Sequence, residues 1–158
     1  MTPDSPRRLP FFVYGTLRPG EANHDAFLRG RTHAEDPARL TGAVLYDGPG
    51  YPYAVEEAGG AVSGELVTAR PEDYDRLLGE LDRLEEYVPG DPRRSLYERV
   101  AREVTRDADG AAVRAWVYLA APAVAVRLRA RGRLIAGGDW RTRERPVADG
   151  CGFACGGL

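Results

Sequence analysis

PEDYDRLLGELDRLEEYV, residues 71–88, is the stretch from which the fold is read. Pro71 suits a first helical position, Glu72 and Asp73 favour the positive N-terminal end, and leucine recurs at helical spacing. With Tyr74 as zero and about 100° per residue, Tyr74, Leu77, Leu78, Leu81, Leu84 and Val88 fall in one sector roughly 120° wide. Asp75, Arg76, Glu80, Arg83 and Glu86 fall on the opposite, solvated side, with Asp82 on the edge. Glu85 breaks the pattern. The same count puts it at about 20°, between Tyr74 and Leu78, inside the apolar stripe. A carboxylate there must be paired, neutral or lining a cavity, because burying an unpaired charge costs too much. Near a helix C-terminus the dipole also disfavours negative charge and pushes a carboxyl pKa upward. A general base fits that position, and so does a structural carboxylate paired with an arginine.

The segments around this helix read as strands. Phe11-Phe12-Val13-Tyr14 is aromatic and β-branched and stops at Gly15, where Thr16-Leu17-Arg18-Pro19-Gly20 makes a tight irregular loop. Asn23 is placed to cap a short helix over His24–Arg29. Ala38–Tyr46 is strand-like, with Gly42 marking a bulge; Asp47–Gly50 is a turn, and Tyr51–Val55 resumes an extended path. Gly59-Gly60 signals a hairpin, and Val62–Thr68 leads into the helix. Beyond it, Pro89–Pro92 breaks the chain, Leu96–Val104 alternates, Asp107–Gly110 turns, and Ala112–Leu119 returns. Ala123–Arg131 reads as a short helix or an extended arm, and Leu134–Arg143 as a loop with a short helical turn. Strands with one long helix inserted point to α+β architecture rather than regular βαβ winding.

The 158 residues, 17.3 kDa, fit one domain. Residues 1–10, with three prolines, read as a flexible N-terminal arm; residues 11–148 form the domain; residues 149–158 form a Gly/Cys tail holding Cys151 and Cys155. A net charge of -2 without a basic block gives nucleic acid no electrostatic footprint. Every basic residue is an arginine, which removes Schiff-base chemistry and a phosphate-cradling lysine. No apolar run approaches the roughly 20 residues that span a bilayer, so no membrane partner is expected. No signal peptide is evident, and a cytoplasmic location is the expectation.

Two elements are candidates for chemistry. In Tyr14-Gly15-Thr16-Leu17, a glycine after a buried strand leaves successive N–H groups without ladder partners, which either hold an anion or simply turn the chain. The other is Glu85. His24 and His33 lack zinc-site spacing, and Ser5, Ser63 and Ser95 lack a nucleophile-elbow context. This inventory favours one carboxylate base with backbone donors over covalent or metal catalysis.

FFVYGTLRPGEANH, followed by LDRLEEY and then LYERV, resembles the gamma-glutamylcyclotransferase superfamily, within it the gamma-glutamylamine cyclotransferase and AIG2-like branch. The resemblance covers roughly residues 11–120, and Asp139-Trp140 resembles the end of bacterial members. It implies a small mixed β-barrel with flanking helices. It further implies that the amides of Tyr14, Gly15, Thr16 and Leu17 hold the α-carboxylate of a γ-glutamyl group. Glu85 then falls on the general base and Tyr97 on a pocket-lining tyrosine. Residues 89–95, PGDPRRS, are longer than in compact members and alter the entrance.

The expected reaction is release of pyroglutamate (5-oxoproline) from a small γ-glutamyl amine by intramolecular aminolysis. No cofactor or metal is implied, and the partner is that small molecule. Two readings of other classes stand beside it: a non-catalytic small-ligand-binding module of the same fold, and a structural or interaction protein in which Glu85 pairs with Arg99 or Arg102.

Overall fold

The helix expected over residues 71–88 begins as a 3-10 turn at Pro71–Asp73 and runs as an α-helix over Tyr74–Leu84, designated α2. Tyr74, Leu77 and Leu81 are fully buried, as the apolar stripe requires, with Leu78 and Leu84 half-buried beside them. Val88 is not part of it. The helix ends four residues earlier, and the Val88 amide donates to Ser95 Oγ at 2.8 Å.

The computed structural model describes residues 8–21 and 23–142. Its strands are β1 (Phe11–Val13), β2 (Thr32–Tyr46), β3 (Tyr53–Ala69), β4 (Tyr97–Arg106), β5 (Ala112–Ala120) and β6 (Leu134–Ile135). α1 (His24–Phe27) follows β1, and α3 (Pro122–Arg131) follows β5, which settles that segment as a helix. The strand order β3-β1-β5-β4-β2, closed by β2 against β3, makes a five-stranded barrel, with β6 added at β2. All pairings are antiparallel except β1 with β5, so the barrel is mixed and the class is α+β.

Two expectations about β2 and β3 need correction. Gly59-Gly60 does not form a hairpin turn: β3 runs through it without a break. The register jumps from Thr41↔Ala61 to Ala43↔Glu56, so the glycines build a bulge opposite Gly42, where a bulge was expected. Gly59 takes a positive φ of 87°, and a Cβ on Gly60 would lie 2.3 Å from the Ala43 carbonyl oxygen. Local composition is the same for a turn and a bulge; the partner strand β2 decides between them. β2 also starts at Thr32 rather than Ala38, drawing Glu35-Asp36-Pro37 into a ladder against β3 that their propensity disfavours. The reversal between the strands falls at residues 47–52, on the Asp-Gly-Pro-Gly turn.

Alternation along β1 divides the apolar residues into two cores. Phe12 joins Leu40, Leu45, Val62, Leu66 and Val117 in the barrel interior. Phe11 and Val13 face outward and pack with Tyr74, Leu77 and Leu81 of α2. Leu9 and Pro10, within the segment expected as a flexible arm, are tied to the domain: the Leu9 carbonyl accepts from Tyr74 Oη at 2.7 Å and the Pro10 carbonyl from the Trp116 amide at 2.8 Å. Residues 1–7 and the Gly/Cys tail lie outside the described residues. Among the described residues no helix is long and apolar enough to cross a membrane.

A buried ionic knot fastens the loop after β1 to β3 and to the segment after β6. Arg18, 6% exposed, donates through Nε and a terminal nitrogen to both Glu65 oxygens, at 2.8 and 3.1 Å, and through its other terminal nitrogen to Asp139 Oδ1 at 2.8 Å. Glu65 is equally buried, on β3 opposite Val13. Trp140, next to Asp139, packs into the interior cluster. Nothing local in the sequence marks Arg18 and Glu65 as partners, because the pair is separated by 47 positions.

Three stability outcomes follow, each measurable by urea unfolding. Gly60→Ala destabilises by about 1–3 kcal/mol, because its Cβ meets backbone that cannot step aside. Gly79→Ala, in α2 with only Arg83 near its Cβ at 3.7 Å, stabilises by up to about 1 kcal/mol. Arg18→Met costs about 3–5 kcal/mol by removing the close partner of buried Glu65, whose remaining ion-pair contact among the described residues is Arg141 at 3.9 Å, and adding Glu65→Met recovers part of the loss.

Candidate active site

β1 ends at the barrel rim, and the chain beyond it has no strand to join. Tyr14 still points inward, where its hydroxyl donates to the Tyr118 carbonyl and accepts from the Ala54 amide at 3.3 Å. Its side chain is thereby committed to holding β5 and β3 together. From Gly15 the backbone folds into a loop closed by Arg18 N–H to the Gly15 carbonyl at 3.1 Å and Asn23 N–H to the Thr16 carbonyl at 2.8 Å. Among the described residues, no acceptor is bonded to the amides of Gly15, Thr16 or Leu17. Gly15 is required by space: a Cβ would lie 2.7 Å from Pro52 Cδ. Asn23 was expected to cap α1, but its side chain instead donates to Thr16 Oγ1 at 2.9 Å and braces the loop.

The loop forms one wall of a cavity of about 270 Å³. Tyr14, Gly15, Thr16, Leu17, Glu85 and Tyr97 all line it, so the fold gathers every site residue picked out in the sequence. Tyr97 is buried and donates to the Pro52 carbonyl at 2.6 Å; its ring stacks on Tyr53 with centroids 4.9 Å apart. Through Pro52 it supports the same bend that Gly15 permits.

Glu85 arrives at the cavity by the way α2 stops. It is the C-cap residue, its N–H donating to the Leu81 carbonyl at 2.9 Å. Glu86 N–H then bonds the Arg83 carbonyl at 3.1 Å and Tyr87 N–H the Asp82 carbonyl at 2.9 Å, the paired bonds of a Schellman turn. Glu85 thus keeps the angular position of the apolar stripe while the chain leaves the helix just behind it. Its carboxylate has no hydrogen bond or ion pair among the described residues, and burial pushes its pKa up to about 7.

The arginines that were alternatives for pairing with Glu85 are engaged elsewhere. Arg99 makes a two-point contact with Asp82, at 2.8 and 3.2 Å, and lies over the Trp116 ring at 4.5 Å. Arg102 pairs with Glu56 at 2.6 Å. The structural reading of Glu85 through those two residues is therefore corrected. The helix-edge acid Asp82 is the one that takes the arginine, because one step around the helix from Glu85 it meets β4 rather than the cavity.

Several cavity residues escaped the sequence reading. Tyr118 lines the wall and donates to Asp82 Oδ1 at 2.6 Å; burial, then the Asp82 bond and charge, raise its pKa. Tyr51, Leu84 and Leu96 complete the apolar surface. Glu86, assigned to the solvated face, is indeed exposed, yet it also borders the cavity. Burial, followed by charges including that of Glu85, raises the pKa of Tyr97 and Tyr14 as well, so these hydroxyls stay protonated beside the carboxyl. Among the described residues, no three His, Cys, Asp or Glu side chains gather as a metal would require.

A family model described as gamma-glutamyl cyclotransferase, AIG2-like, matches residues 11–142. The Gamma-L-glutamyl-butirosin B gamma-glutamyl cyclotransferase of Niallia circulans is 36% identical over 109 residues, 68% of this chain and 64% of that protein. This chain therefore spans just under two thirds of that relative's length. An uncharacterized protein of Pyrococcus horikoshii has a similar structure at TM-score 0.55 and 25% identity, over 84% of this chain and 89% of the other. An aig2-like protein from Mus musculus gives 0.54 and 25%, over 72% and 77%. The matched span takes in the loop after β1, the end of α2 and the Asp139-Trp140 segment alike, and the chain belongs to the gamma-glutamyl cyclotransferase, AIG2-like family.

Proposed function

We propose that the protein is a γ-glutamyl cyclotransferase that releases pyroglutamate and a free amine, with Glu85 as the proton carrier. The observation that carries this reading is a carboxyl without a partner among the described residues, its pKa raised to about 7, in one cavity with a row of unbonded amides. A carboxyl poised near neutrality both accepts and returns a proton at working pH.

The substrate's α-carboxylate is held on the amides of Gly15, Thr16 and Leu17. Its α-ammonium gives a proton to the Glu85 carboxylate, and the freed nitrogen attacks the γ-carbonyl carbon, closing a five-membered ring. As the tetrahedral intermediate collapses, the bond from that carbon to the leaving nitrogen breaks. Glu85 returns its proton there, the ring nitrogen gives up its second proton by the same carboxylate, and the amine leaves to end as the ammonium beside pyroglutamate with its ring nitrogen neutral. Fixing the carboxylate end and enclosing the chain between Tyr97, Tyr118 and Leu17 holds amine and carbonyl within reach, a proximity effect worth several kcal/mol. The relative acting on a γ-glutamylated butirosin supports the γ-glutamyl group as the recognised part and leaves the amine to vary.

Glu85→Gln is expected to lower pyroglutamate release by roughly 10²–10⁴-fold, measured on a panel of γ-glutamyl amines. Intact γ-glutamyl compound recovered after long incubation with the wild-type protein would make it a binding module instead. The same substitution has a stability signature. A carboxyl with a raised folded-state pKa favours folding in its neutral form, a contribution present below about pH 4.5 and lost as pH rises through about 7. Glu85→Gln should therefore match the wild type near pH 4 and exceed it by roughly 1–3 kcal/mol at pH 8, in urea titrations at both pH values. In the wild type, kcat/KM should rise with pH through a midpoint near 7, the free-enzyme value of Glu85.

A further inference from the structure

Glu86 is the anomaly of this site. Its φ is 51°, which makes it the sole non-glycine residue with positive φ among the described residues. Nine glycines fill the other such positions, so among the described residues glycine is supplied at every other site where the left-handed conformation is adopted. The C′ position of a Schellman turn is where glycine is most strongly favoured, and a side chain there costs about 1 kcal/mol. A glutamate kept at that cost has its carboxylate free. Among the described residues it forms no ion pair or side-chain hydrogen bond, in a chain whose 22 basic residues are all arginines. Arg127 acts electrostatically on Tyr53, as Glu86 does, but does not bond to Glu86.

The surroundings state what this carboxylate would meet. Among the described residues that line the cavity, Glu85 and Glu86 are the two that carry formal charge, and both are acidic. Glu85 faces the reacting group. Glu86 is exposed and shares the cavity lining with Gly50, Tyr51 and Leu96; its carbonyl accepts from the Leu96 amide at 2.9 Å, its charge acts on Tyr53, and Tyr51 packs edge-on against Tyr53 with centroids 5.6 Å apart. An acid beside aromatic surface attracts an ammonium and repels a carboxylate.

We propose that Glu86 is a specificity-determining residue, selecting γ-glutamyl amides whose leaving amine carries a second, cationic amino group and no carboxylate. This rests on the cyclotransferase reading and sharpens it: the leaving group is a diamine or polyamine rather than an amino acid. The cation sits by Glu86 and Tyr51 at the mouth while the γ-glutamyl end lies on the loop.

The test uses three γ-glutamyl amides with four-carbon leaving groups, made from 1,4-diaminobutane, butylamine and 4-aminobutyrate. Wild-type kcat/KM for pyroglutamate release should fall in that order, the diaminobutane amide leading the neutral one by roughly three- to tenfold, chiefly through KM. The lead should shrink in high salt. Glu86→Gln and Glu86→Gly should each remove the preference while retaining turnover of the butylamine amide. Glu86→Gly should also keep or raise the Tm, since glycine relieves the left-handed backbone, so a lost preference cannot be blamed on a lost fold. Equal wild-type rates on all three amides, or an unchanged order in both variants, would overturn the assignment and leave the cyclotransferase reading standing. Release from none of the three or from any other γ-glutamyl amine would overturn both.

Discussion

Three residues close the barrel. Phe11–Val13 pairs along one edge with β3, antiparallel, and along the other with β5, parallel, and without this strand β3 and β5 have no common partner. Alternation within so short a strand also serves both cores, Phe12 filling the interior and Phe11 and Val13 seating α2. The site inherits its geometry from that closure. Because β1 stops at the rim, the next residues leave the sheet with their amides unclaimed, and because α2 lies on the outward residues of β1, its end reaches the same rim. Arg18 then holds the loop down from beneath through Glu65 and Asp139, which joins the loop to β3 and to the segment after β6.

The energetics of the rim separate two neighbouring carboxylates and a third. Asp82, Glu85 and Glu86 lie within five positions of one another at the end of one helix, and their environments differ completely. Asp82 meets Arg99 and Tyr118 and is fully satisfied. Glu85 meets burial alone, so its charged form is destabilised and its pKa approaches neutrality. Glu86 meets water at the mouth. The Schellman turn produces this division: it ends helical rotation just after Glu85, turns Glu86 outward through a left-handed step, and sends Tyr87 back along the surface.

Much of this arrangement is legible in the chain. The 3.6-residue period placed Glu85 on the buried stripe, and that placement survives although α2 stops at Leu84, since a C-cap residue keeps the helical angle of its predecessors. The stop itself was not visible, because the sequence lacks the glycine that normally announces it. The strand composition of Phe11–Val13 and the glycine after it marked the loop, whereas Gly59-Gly60 carried a turn signal that the ladder with β2 converts into a bulge. Tyr118 was passed over as one more residue of a strand; only its neighbour across space, Asp82, distinguishes it.

Sequence by itself determined the α+β class, the amphipathic helix, the loop of successive amides and the intrusion of a carboxylate into an apolar face. These depend on periodicity and on the conformational limits of glycine and proline, which act over a few residues. Tertiary structure alone decided which charges pair. Arg18 finds Glu65 across 47 positions, Arg99 takes Asp82 across 17, and Glu85 is left without a partner among the described residues. Coulomb attraction and desolvation depend on distance and burial in space, and those were fixed when β1 closed the barrel.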